Sequence, residues 1–450
     1  MSALRHIPRS PLFWILLFVI VYWSVPFRQL HRPRLATDSA SYLEVSQKIP
    51  AILSGDVDIE RTPVYPAFLA LHRLLFGEQY YLYWVFHSQQ LIILIAIIVF
   101  YHLTGSLLKN KILAAFATFC FAVHPHLIIY NISILTESLS ISCLIFFVYL
   151  LVIYYRKPTF LKAFLSGFGV FLLIMLRPAF LILLPIFILF WTCRLLFVHE
   201  TRKKDVVGLI TIFVAFGLVL GYCYQVDKKC GIFNLTIASA FNQFHCVVQS
   251  GLYQNGSDSK INRLIIQTIE EFKREYPDKL KDPNWLLAAH GMGDESDPLL
   301  YLRESWKRNG IELSHEQKNL YAIQTIKANK PAYIKYLFQK IIFLKGVGYP
   351  IKFMYVYILL LLNFFLIFAS LKRYSWSEII LHITLFLIPA GAYFTAIAGS
   401  HAEYERLVLP VFPLVVLLLF FVIDHFTRWQ FVHDEISGRR KITVDILLQK

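Results

Sequence analysis

Long apolar runs separated by short basic loops decide most of what this chain can become. The runs fall at 11–27, 82–104, 111–130, 134–155, 160–176, 178–198, 207–224, 351–370, 376–398 and 407–425. A helix needs about 20 apolar residues to cross the hydrocarbon core of a bilayer. Lipid offers no hydrogen bonds, so each span must satisfy its own backbone, as a helix does. The expected fold is an all-α polytopic membrane bundle of about ten helices. Arg177-Pro178 interrupts an otherwise continuous run. Proline breaks a helix and arginine is costly at mid-membrane, so a turn at the membrane surface is expected there.

Composition agrees. Hydrophobic residues make up 57% of the chain and charged residues 16%, against about 25% charged in soluble domains. The formal charge of +15 comes from 44 Lys and Arg against 29 Asp and Glu. In a soluble protein that excess would point to nucleic acid. Here much of it lies in short loops between apolar runs, where positive residues hold the cytoplasmic side and meet anionic membrane lipid, so no nucleic-acid partner is expected. The six cysteines show no CxxC or Cys/His metal spacing. Cys230 and Cys246 share one loop and could pair in an oxidising compartment.

Arg5 and Arg9 precede the first run, which ends YWSVPFRQLHRPR without a small-residue cleavage site. The run reads as an uncleaved anchor and first span. With that end inside, the loops GSLLKNK, YYRKPTFLK, HETRKKD and LKRYSW and the tail segments TRWQ and GRRK are also inside, nearly all of them basic. Outside lie a long first loop (28–81), HPHLIIYNIS, the Arg177 turn, a large segment near 225–350, and GSHAEYER. The division is an N-terminal transmembrane module (1–225), an external segment with amphipathic helices (226–350), and C-terminal transmembrane helices with a cytoplasmic tail (351–450). Residues 258–290 and 314–345 look helical, and 322–345 carries Ile, Tyr, Leu and Phe on one face and Lys on the other, which suits a helix at the membrane surface.

The polar residues that could do chemistry gather outside. In TDSASYLEVSQKI, Asp38 or Ser39 would cap the helix that follows, and Asp38 would equally serve as a general base. Arg61 precedes the turn Pro63-Val64-Tyr65-Pro66. It is either a loop-edge arginine or one aimed at a phosphate. Glu137 opens an apolar run, where a helix N-terminus favours a carboxylate. Arg177 and Arg406 stand at span ends, where arginine commonly snorkels. The inference rests on co-location: Asp38, Arg61, Glu137, Arg177 and Arg406 share one side under one topology. An ion-coupled transporter would instead place ionisable groups near the midplane.

In the order DSASYLEV, RTPVYPAFLAL, YNISILTESLS, LRPAFLILLP and YERLVLPVFPLVVLL, the chain resembles the GT-C glycosyltransferases of the protein mannosyltransferase and aminoarabinose transferase group, especially bacterial PMT_2 (RgtA/B/C/D-like) members. The resemblance implies a GT-C-like bundle and an inverting transfer of one sugar from a polyprenyl-phosphate donor to an acceptor hydroxyl on a lipid, glycan or protein. It implies an integral protein of a bacterial inner membrane with its site facing the periplasm. Asp38 matches the catalytic carboxylate; Arg61, Tyr65, Glu137, Arg177 and Arg406 would bind donor phosphate or substrate. Ser39 stands where many members have a second acidic residue, and Arg61-Thr62-Pro63 replaces a basic-Pro-Pro pattern. No cofactor is required, and nothing in the residues supports a divalent metal. A flippase for a lipid-linked sugar and a polysaccharide polymerase or ligase remain alternatives. Asn131, Asn234 and Asn255 head N-x-S/T sequons, read as chance occurrences.

Overall fold

The computed structural model describes residues 10–29, 33–36, 38–49, 52, 58, 60–282, 285–287, 289, 296–343, 350–370, 375–399 and 404–436. Arg5, Arg9, most of LKRYSW, half of GSHAEYER (400–403) and the tail segment GRRK lie outside the described residues. The helices in chain order are α1 (Pro11–Gln29), α2 (Ser39–Gln47), α3 (Val64–Leu107), α4 (Lys111–Ala122), α5 (Pro125–Asn131), α6 (Glu137–Arg156), α7 (Phe160–Leu176), α8 (Leu183–Phe197), α9 (Arg202–Cys230), α10 (Ala238–Gln249), α11 (Ser259–Glu275), α12 (Pro298–Arg308), α13 (His315–Ala328), α14 (Lys330–Phe343), α15 (Pro350–Ser370), α16 (Trp376–Gly399), α17 (Tyr404–Val408) and α18 (Phe412–Ile436).

Each of the expected apolar runs coincides with a helix. Among the described residues, six helices are long and apolar enough to cross a membrane, or seven with the bent pair α4–α5 taken as one span; Pro11–Ser24, Phe160–Leu176 and Tyr355–Ile367 are shorter apolar stretches. The bundle core contains Ile93, Phe100, Phe121, Leu144, Phe187 and Trp191. Large apolar side chains such as Leu91, Phe164, Ile210, Phe213 and Val214 point outward, as they do where lipid replaces water. The chain is an integral membrane protein. Small residues let its helices approach closely. A Cβ on Gly208 would lie 2.5 Å from the Trp191 ring, and one on Gly167 2.7 Å from Thr211 Cβ.

Several boundaries differ from the sequence reading, each for a local reason. The amphipathic stretch after Pro63 and the second span form one long helix, α3, broken only at Gly77 (φ 74°, ψ 165°), a conformation that glycine reaches without a Cβ clash. Part of HPHLIIYNIS is helical, as α5, bent 50° from α4 at His124-Pro125. Arg177 is extended (φ −153°, ψ 118°) ahead of Pro178, as the pre-proline restriction demands, so the expected turn is present. The last span does match, running Arg406–Thr427 through α17, the 3₁₀ turn Leu409–Val411 at Pro410, and α18.

The helix expected over 314–345 is two helices, α13 and α14, which break at Asn329. Pro331 lacks the N–H and would clash with the preceding turn, so one helix cannot run through it. In this region the apolar face is open, as expected, but one lysine of the polar face is buried. Ile334 and Phe338 are 54% and 63% exposed, whereas Lys340 is 2% exposed. Helices α10–α14 enclose a core of their own with Phe244, Val247, Ile265, Leu299, Trp306 and Tyr321. Cys230 and Cys246 are both free thiols.

Candidate functional site

The site is assembled by a short backbone staple. Arg34 N–H donates to Ile132 O at 3.0 Å and Ile134 N–H donates to Arg34 O at 3.0 Å, an isolated parallel bridge of Arg34 with Ser133. Ser39 Oγ accepts from Ala36 N–H at 2.9 Å and donates to Ile134 O at 2.8 Å. These bonds join the residues that open α2 to those that open α6. Asp38 and Glu137 are thereby set beside the same arginine, although 99 positions apart in the chain.

Asp38 does not cap α2. Its backbone is already helical (φ −73°, ψ −17°) and its carboxylate makes no cap bond. Asp38 Oδ1 instead accepts from Arg61 Nη2 at 2.9 Å and Oδ2 from Arg406 Nη1 at 2.5 Å. Ser39 is no cap either, since its hydroxyl is committed to the staple. Arg406 Nε donates to Glu137 Oε1, which also faces Arg177 Nη1 at 3.2 Å. Arg177 Nη2 donates to Arg406 O at 3.1 Å. The structure therefore joins the five charged residues singled out in the sequence as one chain of contacts: Arg61, Asp38, Arg406, Glu137, Arg177.

Burial grades this chain from floor to rim. Side-chain exposure is 0% for Glu137, 8% for Arg177, 11% for Arg406, 23% for Arg61 and 32% for Asp38. A carboxylate as buried as Glu137 persists only when paired, and two guanidiniums pair it. Glu137 Oε2 accepts no hydrogen bond within the described residues. Among the described residues, three guanidiniums meet two carboxylates here. Burial pushes the Asp38 carboxyl up, but Arg406 and Arg61 outweigh it and hold the group below the ordinary aspartate value. Burial likewise opposes the charge on Arg61, and Tyr42 and Asp38 more than compensate.

Sequence reasoning missed what orients Arg61. Its Nε donates to Ser41 Oγ at 2.8 Å, and its guanidinium carbon lies 4.5 Å from the centroid of the Tyr42 ring. The Tyr42 ring stands edge-on to Tyr65 at 5.1 Å. Tyr65, expected among the substrate contacts, is fully buried against Tyr42 and makes none of the cluster's ion pairs named above. Its hydroxyl donates to Gln89 Oε1 at 2.9 Å, and Gln89 Nε2 donates to Ser133 O at 3.0 Å, back at the staple. The i, i+1 pair Ser41-Tyr42 in a helix beside Asp38 was the available signal, but side-chain pairing to a residue 19 or 20 positions away is not visible in periodicity. Tyr65→Phe is expected to orphan the buried Gln89 oxygen and lower stability by about 1–2 kcal/mol. Thermal unfolding of the reconstituted variant checks it; an unchanged midpoint would remove Tyr65 from this support.

Asn131 is fully buried, and its Nδ2 donates to Gln90 Oε1 at 2.7 Å, so this sequon presents no glycosylation acceptor. No three His, Cys, Asp or Glu side chains converge among the described residues. Each Asp38 oxygen accepts from a guanidinium.

No protein-family model matches the chain, and no curated protein does. Among solved structures it is similar to the oligosaccharyltransferase of Archaeoglobus fulgidus in complex with zinc and sulfate, at 16% identity and a TM-score of 0.50, over 95% of this chain and 50% of that one. The archaeal oligosaccharyltransferase AglB from the same organism, in complex with an inhibitory peptide and a dolichol-phosphate, gives 12% identity and a TM-score of 0.49 over 96% of this chain and 52% of that one. ArnT from Cupriavidus metallidurans bound to undecaprenyl phosphate gives 14% and 0.35 over 97% and 82%. The chain spans about half the length of the oligosaccharyltransferases it matches. At these identities the likeness speaks to the fold. The all-α bundle, with its first loop stapled against the spans and its charged cluster at one end, has the GT-C fold that the sequence resemblance implied.

Proposed function

We propose that the chain is a membrane glycosyltransferase that moves a sugar, with inversion, from a polyprenyl-phosphate donor to an acceptor hydroxyl on a lipid, glycan or protein. The observation that carries this reading is the Asp38 carboxylate at the rim, bracketed by Arg61 and Arg406. Guanidinium forks suit phosphate oxygens. The acceptor oxygen attacks the anomeric carbon, the carbon–oxygen bond to phosphate breaks, and the electron pair leaves with the lipid phosphate. The acceptor proton passes to Asp38. Charge that develops on the leaving phosphate is met by Arg61 and Arg406. Glu137 and Arg177 hold Arg406 from behind.

Base and phosphate compete for the same cations. Both Asp38 oxygens are engaged in the resting chain. A phosphate that draws Arg61 or Arg406 toward itself frees a lone pair on Asp38 and makes that carboxylate more basic while the donor is present. Basic residues such as Lys109, Lys157, Lys203 and Lys204 stand at the other end of the bundle, which supports a site on the non-cytoplasmic face, the periplasmic one in a bacterial inner membrane.

Proteoliposomes given labelled polyprenyl-phosphate sugar and a hydroxyl acceptor are expected to accumulate free polyprenyl phosphate and glycosylated acceptor in equal amounts. Transbilayer movement of intact donor without either product would identify a flippase. Use of a diphosphate-linked oligosaccharide alone would identify a polymerase or ligase.

A further inference from the structure

The segment between α9 and α15 reaches the charged cluster through the end of one spanning helix. Helix α16 ends at Gly399, and residues 400–403 separate it from α17, which carries Arg406 and packs back on α16. The last carbonyls of a helix have no partner within it and carry its negative pole. In α16 two of them are taken by α14. Lys340 Nζ donates to Ile397 O at 2.9 Å, and Tyr333 OH donates to Ala398 O at 3.1 Å.

Lys340 is held there from the other side. It is 2% exposed, lies 5.2 Å from the centroid of the Tyr336 ring, and approaches Cys246 Sγ at 3.9 Å. Tyr336 OH donates to Gln249 Oε1 at 2.8 Å, which ties the same turn of α14 to α10. A buried ammonium is costly, and these contacts hold this one against the pole of α16.

We infer that Lys340 and Tyr333 are positioning residues for Arg406: they fix the end of α16, and through it the guanidinium that would grip the donor phosphate, so that the α10–α14 segment sets the affinity of the site for its lipid phosphate. The inference rests on the proposed function. It differs from a purely structural role in one respect, since the loss on removing Lys340 must run through Arg406.

The test is a double-mutant cycle on the full chain in nanodiscs, with undecaprenyl phosphate as the probe. Lys340→Met is expected to raise its Kd about 10-fold, and Lys340→Arg, which can still donate to Ile397 O, to bring it back to within about threefold. In an Arg406→Ala background Lys340→Met is expected to change the Kd no further. Tyr333→Phe deletes a single hydroxyl and carries the same test if Lys340→Met does not fold; about a threefold loss is expected, again absent without Arg406. A lower melting temperature with unchanged Kd, or losses that multiply across the cycle, overturns the inference and leaves the proposed function standing. Binding that is indifferent to Arg406→Ala overturns the phosphate role of Arg406, and the inference with it.

Discussion

Asp38→Asn is expected to lower turnover by about 10²–10⁴-fold, the usual contribution of a positioned general base, while binding of polyprenyl phosphate becomes tighter. The two halves come from one geometry. An amide keeps the shape of the carboxylate and can still accept from one guanidinium, but it takes no proton and no longer neutralises Arg61 and Arg406. The net charge of the network rises by one, which favours an anion. A residue that merely braced the site would weaken binding and turnover together. Turnover with labelled donor and a separate binding isotherm measure the two, and near-normal turnover would exclude Asp38 as the base.

The pH profile carries the same argument. In the free chain the Asp38 carboxyl sits below its ordinary value, so it is already ionised through the neutral range. Its acid limb in kcat/KM for the donor, which reports the free enzyme, should therefore lie below the ordinary aspartate range. Once donor phosphate has drawn an arginine away, the carboxyl regains basicity and the limb in kcat shifts upward. Coincident limbs in the two profiles would show that Asp38 keeps both arginines throughout the reaction.

Hydropathy and loop charge carried the spans and the grouping of Asp38, Arg61, Glu137, Arg177 and Arg406, because a topology assigns every loop to one of two sides. They could not reach the contacts. The staple of Arg34 with Ser133 is a backbone event with no side-chain signature. Asp38 reads as a cap because capping is the strongest local use of aspartate, and only arginines 23 and 368 residues away override it. Lys340 sits among other lysines on what reads as the wet face of a helix. Its burial is set by α16, which periodicity within α14 cannot see. The same blindness hid Arg194 and Asp205, which look like an ordinary span end and an ordinary basic loop.

That last pair supplies the largest expected effect on stability. Arg194 and Asp205 are 1% and 0% exposed, at the end of the bundle away from Asp38. Asp205 Oδ1 accepts from Arg194 Nε at 2.8 Å and from Tyr154 OH at 2.6 Å, and Oδ2 accepts from Thr201 Oγ1 at 2.5 Å. Arg194 also donates to Ser377 Oγ at 2.9 Å and to Thr201 Oγ1 at 3.0 Å. The cluster ties α6, α8, α9 and α16 together, and its charges cancel. Arg194→Ala is expected to cost about 3–5 kcal/mol, since it leaves a buried carboxylate without its cation. Removing both charges, as in Arg194→Met with Asp205→Leu, should recover most of the loss, because the penalty belongs to the unpaired ion rather than to the missing bond. Thermal or denaturant unfolding in detergent measures both variants, and a double variant no better than the single one would refute that account. The contrast with the other end is chemical. There the ions are graded toward solvent, and one Glu137 oxygen accepts no bond among the described residues; here they are sealed, paired and fully bonded. The folded fraction of Arg194→Ala should accordingly turn over donor at close to the normal rate, whereas Asp38→Asn should unfold normally and fail to turn over.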